Sequence, residues 1–361
     1  MSGIKSVSAA AAAIFFAMFA SAMPAAALDR VNVGFVYFSP VFDTGWTFEH
    51  DKGRKKMEAL LGDKVQARIV ENVAYGPDSL QVIRQLAADG SHLIFTTSFG
   101  FMDQTLEAAE LFPDVRFMHL DGYKKRDNMG TYSLRYYEPS YLAGIVAGAM
   151  TESDTIGYVS SFPLPAVLRI INGFALGAQS VRPDVKVKVI EVNSWFDPGR
   201  EREATDALIA QGADVVAHVT DSSAPTLAAE KAGKRVVGFH SDRTSFGPAS
   251  QLTAVIPIFG EFYAEVAQSV LDGTWTSQAH WRSMAQGSLG LAPLGSMVPA
   301  DVQDLVAQRT EALLSGELHP FSGPIRDQAG ELRVPEGEVM ADDALYLIDW
   351  YVQGVEGKLP E

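Results

Sequence analysis

Residues 31–53 read VNVGFVYFSPVFDTGWTFEHDKG. The run Val33-Gly-Phe-Val-Tyr-Phe38 is apolar throughout, as expected of a strand buried on both faces. Ser39-Pro40 stops it, and a loop follows from Val41 to Thr47. From Thr47 the chain is expected to be helical, with Phe48, Met57, Leu60 and Leu61 as its apolar positions. In an open α/β sheet the loop at the carboxyl end of the first strand faces the ligand crevice. Here that loop carries an acid, Asp43, and a large aromatic, Trp46, so it is expected to form half of a binding cleft.

The same alternation continues. Strands are expected at 64–70, 92–96 and 115–120 and helices at 78–89 and 102–111, which makes roughly four strands in a first unit. The small-residue apolar helix 139–150 (PSYLAGIVAGAM) opens a second series, with strands at 155–160, 185–192, 215–219 and 235–240 and helices at 167–179, 199–211 and 225–232. A further helix is expected at 261–271. The tail from 275 to 361 mixes short strands, Pro/Gly turns and helices at 299–314 and 342–353. Two such units in succession predict an α/β protein of two lobes, each a parallel sheet flanked by helices, hinged near 121–135 and 242–253. Lobe 1 is expected to hold 28–135 plus 245–275, and lobe 2 to hold 136–244 plus 276–361.

Residues 1–27 read as a signal peptide. Lys5 supplies a positive start, 9–20 an apolar core too short and Ala-rich to span a membrane comfortably, and Ala25-Ala26-Ala27 a small-residue cleavage site. The mature chain is therefore expected to be exported to a periplasm, and a monomer is the default for a freely diffusing receptor. The chain has no cysteine, which excludes a disulfide, a thiolate metal site, a Cys nucleophile and a lipid-modified N-terminal Cys. Its net charge of −15 becomes −16 when Lys5 leaves with the signal. Such acidity argues against nucleic acid or an anionic membrane surface as partner.

Chemistry collects where the strands end. The first unit offers Asp43 and Trp46, then Ser98 and Phe99, then Asp121; the second offers Trp195 and Phe196, then Asp221, then Asp242. If the lobes face one another, tryptophans and carboxylates meet in one crevice, a combination that suits a planar heteroaromatic ring with N–H donors. Each also has a plainer reading. The tryptophans can pack a domain edge, Phe99 and Phe196 can be core, and Asp121 (before Gly122) and Asp242 can satisfy turns. His218 reads as a core histidine. The seven histidines show no HExxH spacing, and neither a GxSxG elbow nor a GxGxxG after the first strand is present. Neither an enzyme nor a metal or other cofactor is expected.

With the strand ends laid out, the chain resembles the basic membrane protein (PnrA-like) family of substrate-binding proteins for ABC importers. The resemblance rests on VGFVYFSPVFDTGWTFEHDKG, IFTTSFGFMD, FMHLDGY, YEPSYLAGIVAGAM with IGYVSSF, and VVGFHSD, and covers essentially the mature chain. It implies a type I binding-protein fold, a purine-type ligand and a membrane permease as partner. Asp43 matches the acid of the family's first loop and Trp46 its stacking aromatic, while Thr47 stands where Asn is usual. Trp195 falls where the opposing aromatic would lie, and Asp242 and Asp121 match acids at strand ends. The lost Asn and the two bulky indoles favour a free base (adenine, guanine or hypoxanthine) over a nucleoside. The expected complex is a purine held between Trp46 and Trp195, with Asp242 accepting ring N–H and Asp221 or Asp43 as the fallback acceptors. A periplasmic nucleoside hydrolase and a ligand sensor are the competing classes.

Overall fold

The computed structural model describes residues 27–359, so the expected signal peptide lies, Ala27 apart, outside the described residues. In chain order the first lobe is built from β1 (Val31–Val36), α1 (Trp46–Leu61), β2 (Val65–Val70), α2 (Pro77–Ala88), β3 (Leu93–Thr96), α3 (Met102–Leu111), β4 (Arg116–Leu120) and β5 (Met129–Leu134). The second follows with α4 (Tyr137–Met150), β6 (Thr155–Ser160), α5 (Pro165–Val181), β7 (Lys186–Glu191), α6 (Pro198–Ala210), β8 (Val215–His218), α7 (Ala224–Ala232), β9 (Arg235–Phe239) and β10 (Gln251–Pro257). The chain returns to the first lobe for α8 (Gly260–Leu271) and β11 (Ala279–Arg282). It ends on the second with β12 (Leu289–Leu291), α9 (Ala300–Ser315), β13 (Ile325–Arg326), β14 (Leu332–Val334), α10 (Asp342–Tyr346) and β15 (Val355–Glu356).

The two-lobed α/β architecture is as expected. One sheet runs β11-β5-β4-β3-β1-β2, all parallel; the other runs β12-β10-β9-β8-β6-β7-β15, parallel except for β12. Each lobe thus places its first strand between its second and third. Such an order reverses direction beside the first strand, and ligands bind outside the strand ends at that switch point. The loops after β1 and β3 therefore face those after β6 and β8.

Four expectations about the course of the chain need correction. Residues 129–134, expected in a hinge, form β5, because Thr131 and Ser133 are buried strand residues in spite of their polarity. Residues 251–257, expected in lobe 1, pair with β9 in the second sheet, and 279–282, expected in lobe 2, pair with β5 in the first. The crossings consequently fall at 135–136, 258–259 and 283–288. Backbone bonds tie the first two crossings to the two ends of the third, Arg135 N to Arg282 O at the end of β11 (2.8 Å) and Ile258 N to Ser288 O (2.8 Å). The helix expected over 342–353 stops at Tyr346, because the backbone beyond it bonds to α5 instead.

α4 and α5 carry part of the second lobe's half of the site, and small residues let them touch. A Cβ on Gly144 would lie 2.0 Å from Phe174 O, and one on Gly177 would lie 1.9 Å from Tyr141 O. α5 also grips the tail. Arg169 Nη1 donates to Leu345 O (2.9 Å) and Tyr346 O (3.2 Å), and Asn172 bonds Trp350 O (2.8 Å) and Val352 N (3.0 Å).

Candidate functional site

A cavity of about 210 Å³ lies between the lobes at the two switch points. Its first-lobe wall is formed by Phe38 after β1, Trp46 at the start of α1, Tyr75 before α2 and Phe99 after β3. Trp195 after β7 and Phe239 at the end of β9 face them. The Trp46 indole is fixed by its own N–H, which donates to Thr97 O at 2.7 Å, and by His50 and His240 packed 4.7 and 4.6 Å from its ring.

Of the residues expected at the site, Trp46, Trp195, Phe99, Asp121 and Asp221 line this cavity. Asp242, Asp43 and Phe196 do not. Asp242 Oδ1 turns into its own loop, where it accepts from Thr244 N (2.9 Å), Thr244 Oγ1 (2.6 Å) and Gln251 Nε2 (2.7 Å). Asp242 therefore lies outside the cavity lining, with Oδ1 engaged by its own loop and by Gln251, and not at the place expected of a ring acceptor. Asp43 stands exposed in the first loop. Phe196 is half exposed and stacks on Phe42 of the other lobe, with ring centroids 6.2 Å apart and planes 7° apart, at the rim.

The backbone at these strand ends is unusual. Asp121 (φ 53), Asn193 (φ 50) and His240 (φ 64) all adopt the left-handed region at the carboxyl ends of β4, β7 and β9. Residues held there carry local strain that the surroundings must offset, a pattern that concentrates at binding sites.

Asp121 has no hydrogen-bonded side-chain partner among the described residues. Burial pushes its carboxyl up to about 6, and the facing guanidinium of Arg169 holds it from rising further. Asp221 is anchored instead: its Oδ1 accepts Trp46 N at 2.7 Å and meets His240 Nδ1 at 3.1 Å, and Arg243 Nη2 stands at 3.8 Å. Burial lowers His240 below its ordinary value and outweighs the pull of Asp221, so the ring is neutral near pH 7.

The Asp221 contact spans the two lobes. α1 begins after Gly45 (φ 96) and has no side-chain cap of its own. Helix N-termini leave N–H groups without intrahelical partners; here the opposite lobe supplies them. Asp221 takes Trp46 N, and Ser241 Oγ accepts Gly45 N at 2.8 Å while donating to Glu49 Oε1 at 3.0 Å. The contact to Ser241 explains the burial of Glu49; His50 is buried against Tyr263 and Asp51 is paired with Arg54 and Lys55 of its own helix, whereas Leu60, expected on the buried face of α1, is 45% exposed.

Sequence reasoning missed Arg169, Tyr136 and His240, all of which line the cavity. Arg169 had a signal: it is the one charged residue in 165–181, PAVLRIINGFALGAQSV. Tyr136 had none, since it follows a strand that was itself not recognised.

A family model described as ABC transporter substrate-binding protein PnrA-like matches residues 30–316. The chain belongs to this family. Among relatives, a purine-binding protein of Brucella abortus is 47% identical over 333 residues, covering 92% of this chain and 95% of its own. A Haloferax volcanii protein named as a glucose-binding component of an ABC transporter is 40% identical over 92% of this chain and 82% of its own. An ABC transporter solute-binding protein of Conexibacter woesei shares the fold, with a TM-score of 0.67 at 22% identity over 80% of this chain and 98% of that one. As a PnrA-like substrate-binding protein, the chain serves to bind a small molecule and deliver it to a permease. Among the described residues no helix is long and apolar enough to cross a membrane.

Proposed function

We propose that this protein is an exported receptor that captures a free purine base for an ABC importer, as a monomer acting in the periplasm. The observation that carries the reading is the cavity's make-up: aromatic faces on both lobes, with charged groups confined to Asp121, Asp221 and Arg169. Flat rings between aromatic faces stack favourably, and carboxylates accept ring N–H. The 47%-identical purine-binding relative supports the ligand class. Trp46 and Trp195 serve as the stacking pair, and the acceptor role expected of Asp242 passes to Asp121 and Asp221.

Binding and closure are coupled in this reading. A ligand that touches both lobes stabilises their closed arrangement by its differential contacts, and the closed receptor then docks on its permease.

Mass spectrometry of small molecules released on denaturing the purified mature protein tests the proposal, followed by calorimetry with hypoxanthine, guanine, adenine, inosine and glucose. A purine base is the expected result. Glucose binding without purine binding would assign the chain to the ligand class of its Haloferax relative. Release of ribose from inosine over time would favour a hydrolase instead.

A further inference from the structure

Two opposite charges face the cavity without meeting. Asp121 enters from the first lobe and Arg169 from the second. Arg169 is only 7% exposed, and among the described residues its single bonded nitrogen is Nη1, occupied by the tail carbonyls of Leu345 and Tyr346. Neither residue takes part in an ion pair within 4.0 Å among the described residues. Nε and Nη2 of a nine-tenths-buried guanidinium, and both oxygens of a half-buried carboxylate, thus have no hydrogen-bond partner among the described residues, and both side chains line the cavity. Tyr136 also lines the cavity, and its buried hydroxyl has no hydrogen-bond partner among the described residues. Buried charges and hydroxyls without partners are costly, and one group that reaches all of them relieves the cost at once.

Resting on the purine reading above and narrowing it, we propose that Arg169 and Asp121 form a donor–acceptor clamp across the lobes that selects 6-oxopurines. Arginine presents a planar fork of donors, which matches the adjacent O6 and N7 acceptors of an oxopurine. The neighbouring N1–H then donates to the Asp121 carboxylate. Adenine places an amino donor where O6 stands, so its N–H opposes the guanidinium N–H. The ligand class is therefore hypoxanthine, guanine and their 6-oxo relatives.

Calorimetry on the full mature protein with hypoxanthine, 1-methylhypoxanthine and adenine tests the clamp. Hypoxanthine is expected to bind at least about tenfold more tightly than either of the others, since each good base-edge pairing discriminates on that scale. Arg169→Gln is expected to weaken hypoxanthine about 10- to 100-fold and to erase its advantage over adenine. Because Arg169 also holds the tail, circular dichroism must show that variant folded; the methylated ligand tests Asp121 with no mutation at all. Adenine binding as tightly as hypoxanthine, an unaffected 1-methyl derivative, or a folded Arg169→Gln protein with its preference intact overturns the clamp while leaving purine capture in place. A wild-type protein that binds no purine overturns both readings together.

Discussion

Asp121 and Asp242 both follow strands of the same kind, yet only the first faces the cavity. The difference is made by neighbours distant in sequence. Gln251, the first residue of β10, reaches across to Asp242, whereas among the described residues no group hydrogen-bonds the Asp121 carboxylate. Trp46, Trp195 and Asp221 were legible because a residue just past a parallel strand has few places to go but the crevice. Arg169 sits one turn inside a helix, where no strand-end rule points to it. At this scale two outcomes are expected. Trp46→Ala or Trp195→Ala weakens purine binding by about 1–3 kcal/mol, the range for losing one base–aromatic stack; full affinity in both variants would end the sandwich. Asp121 titrates near 6 because burial raises it from 3.8. A ligand N–H needs the carboxylate, so affinity should climb as pH rises through about 6 and level off above it, and calorimetry from pH 5 to 8 reads the curve. The groups around it (Arg169 and the hydroxyls of Tyr132, Tyr136 and Tyr346) keep their protonation over this range. Asp121→Asn should flatten the profile. In the empty protein the sign reverses: the native state holds this proton more tightly than the unfolded chain, so the group's contribution to stability falls between about pH 4 and pH 6.

Among the elements, α4 and α5 show how packing reaches the ligand. Their close approach was foreshadowed by the run of small residues in PSYLAGIVAGAM, and the structure gives the reason for them. Gly177→Ala drives a methyl into the backbone of α4 and should cost about 1–3 kcal/mol of stability, as overpacking does, measured by urea unfolding. Because α5 also carries Arg169, the folded fraction should bind ligand more weakly as well. A variant as stable as the parent would show that the helices can separate freely. β5 and β10 escaped prediction for a common cause: buried threonines, serines and a glutamine dilute the apolar signal of a strand, whereas β11 (AHWR) is short and mostly not buried.

For the molecule as a whole, the crossing points decide how the lobes can move, and the cap on α1 decides how they are held. Three crossings instead of two confine the motion to opening and closing around a bonded hinge, a constraint that depends on which sheet each short strand joins. Ser241→Ala removes the bonds to Gly45 and Glu49 without touching the cavity wall. It should leave the ligand-saturated form compact, enlarge the ligand-free form in small-angle X-ray scattering, and weaken binding by about 0.5–1.5 kcal/mol, the net worth of such a bond. Identical scattering and affinity in the variant would mean that the cap contributes nothing to closure.

The capping of α1 by Asp221 and Ser241 involves no atom of the ligand. A receptor held shut by these contacts while vacant would offer the permease the outer face of a loaded one. Transport then depends on the ratio of full to empty callers at the membrane as well as on affinity. At scarce substrate, making more receptor beyond a certain point would slow uptake, because vacant copies would occupy the docking sites that loaded ones need.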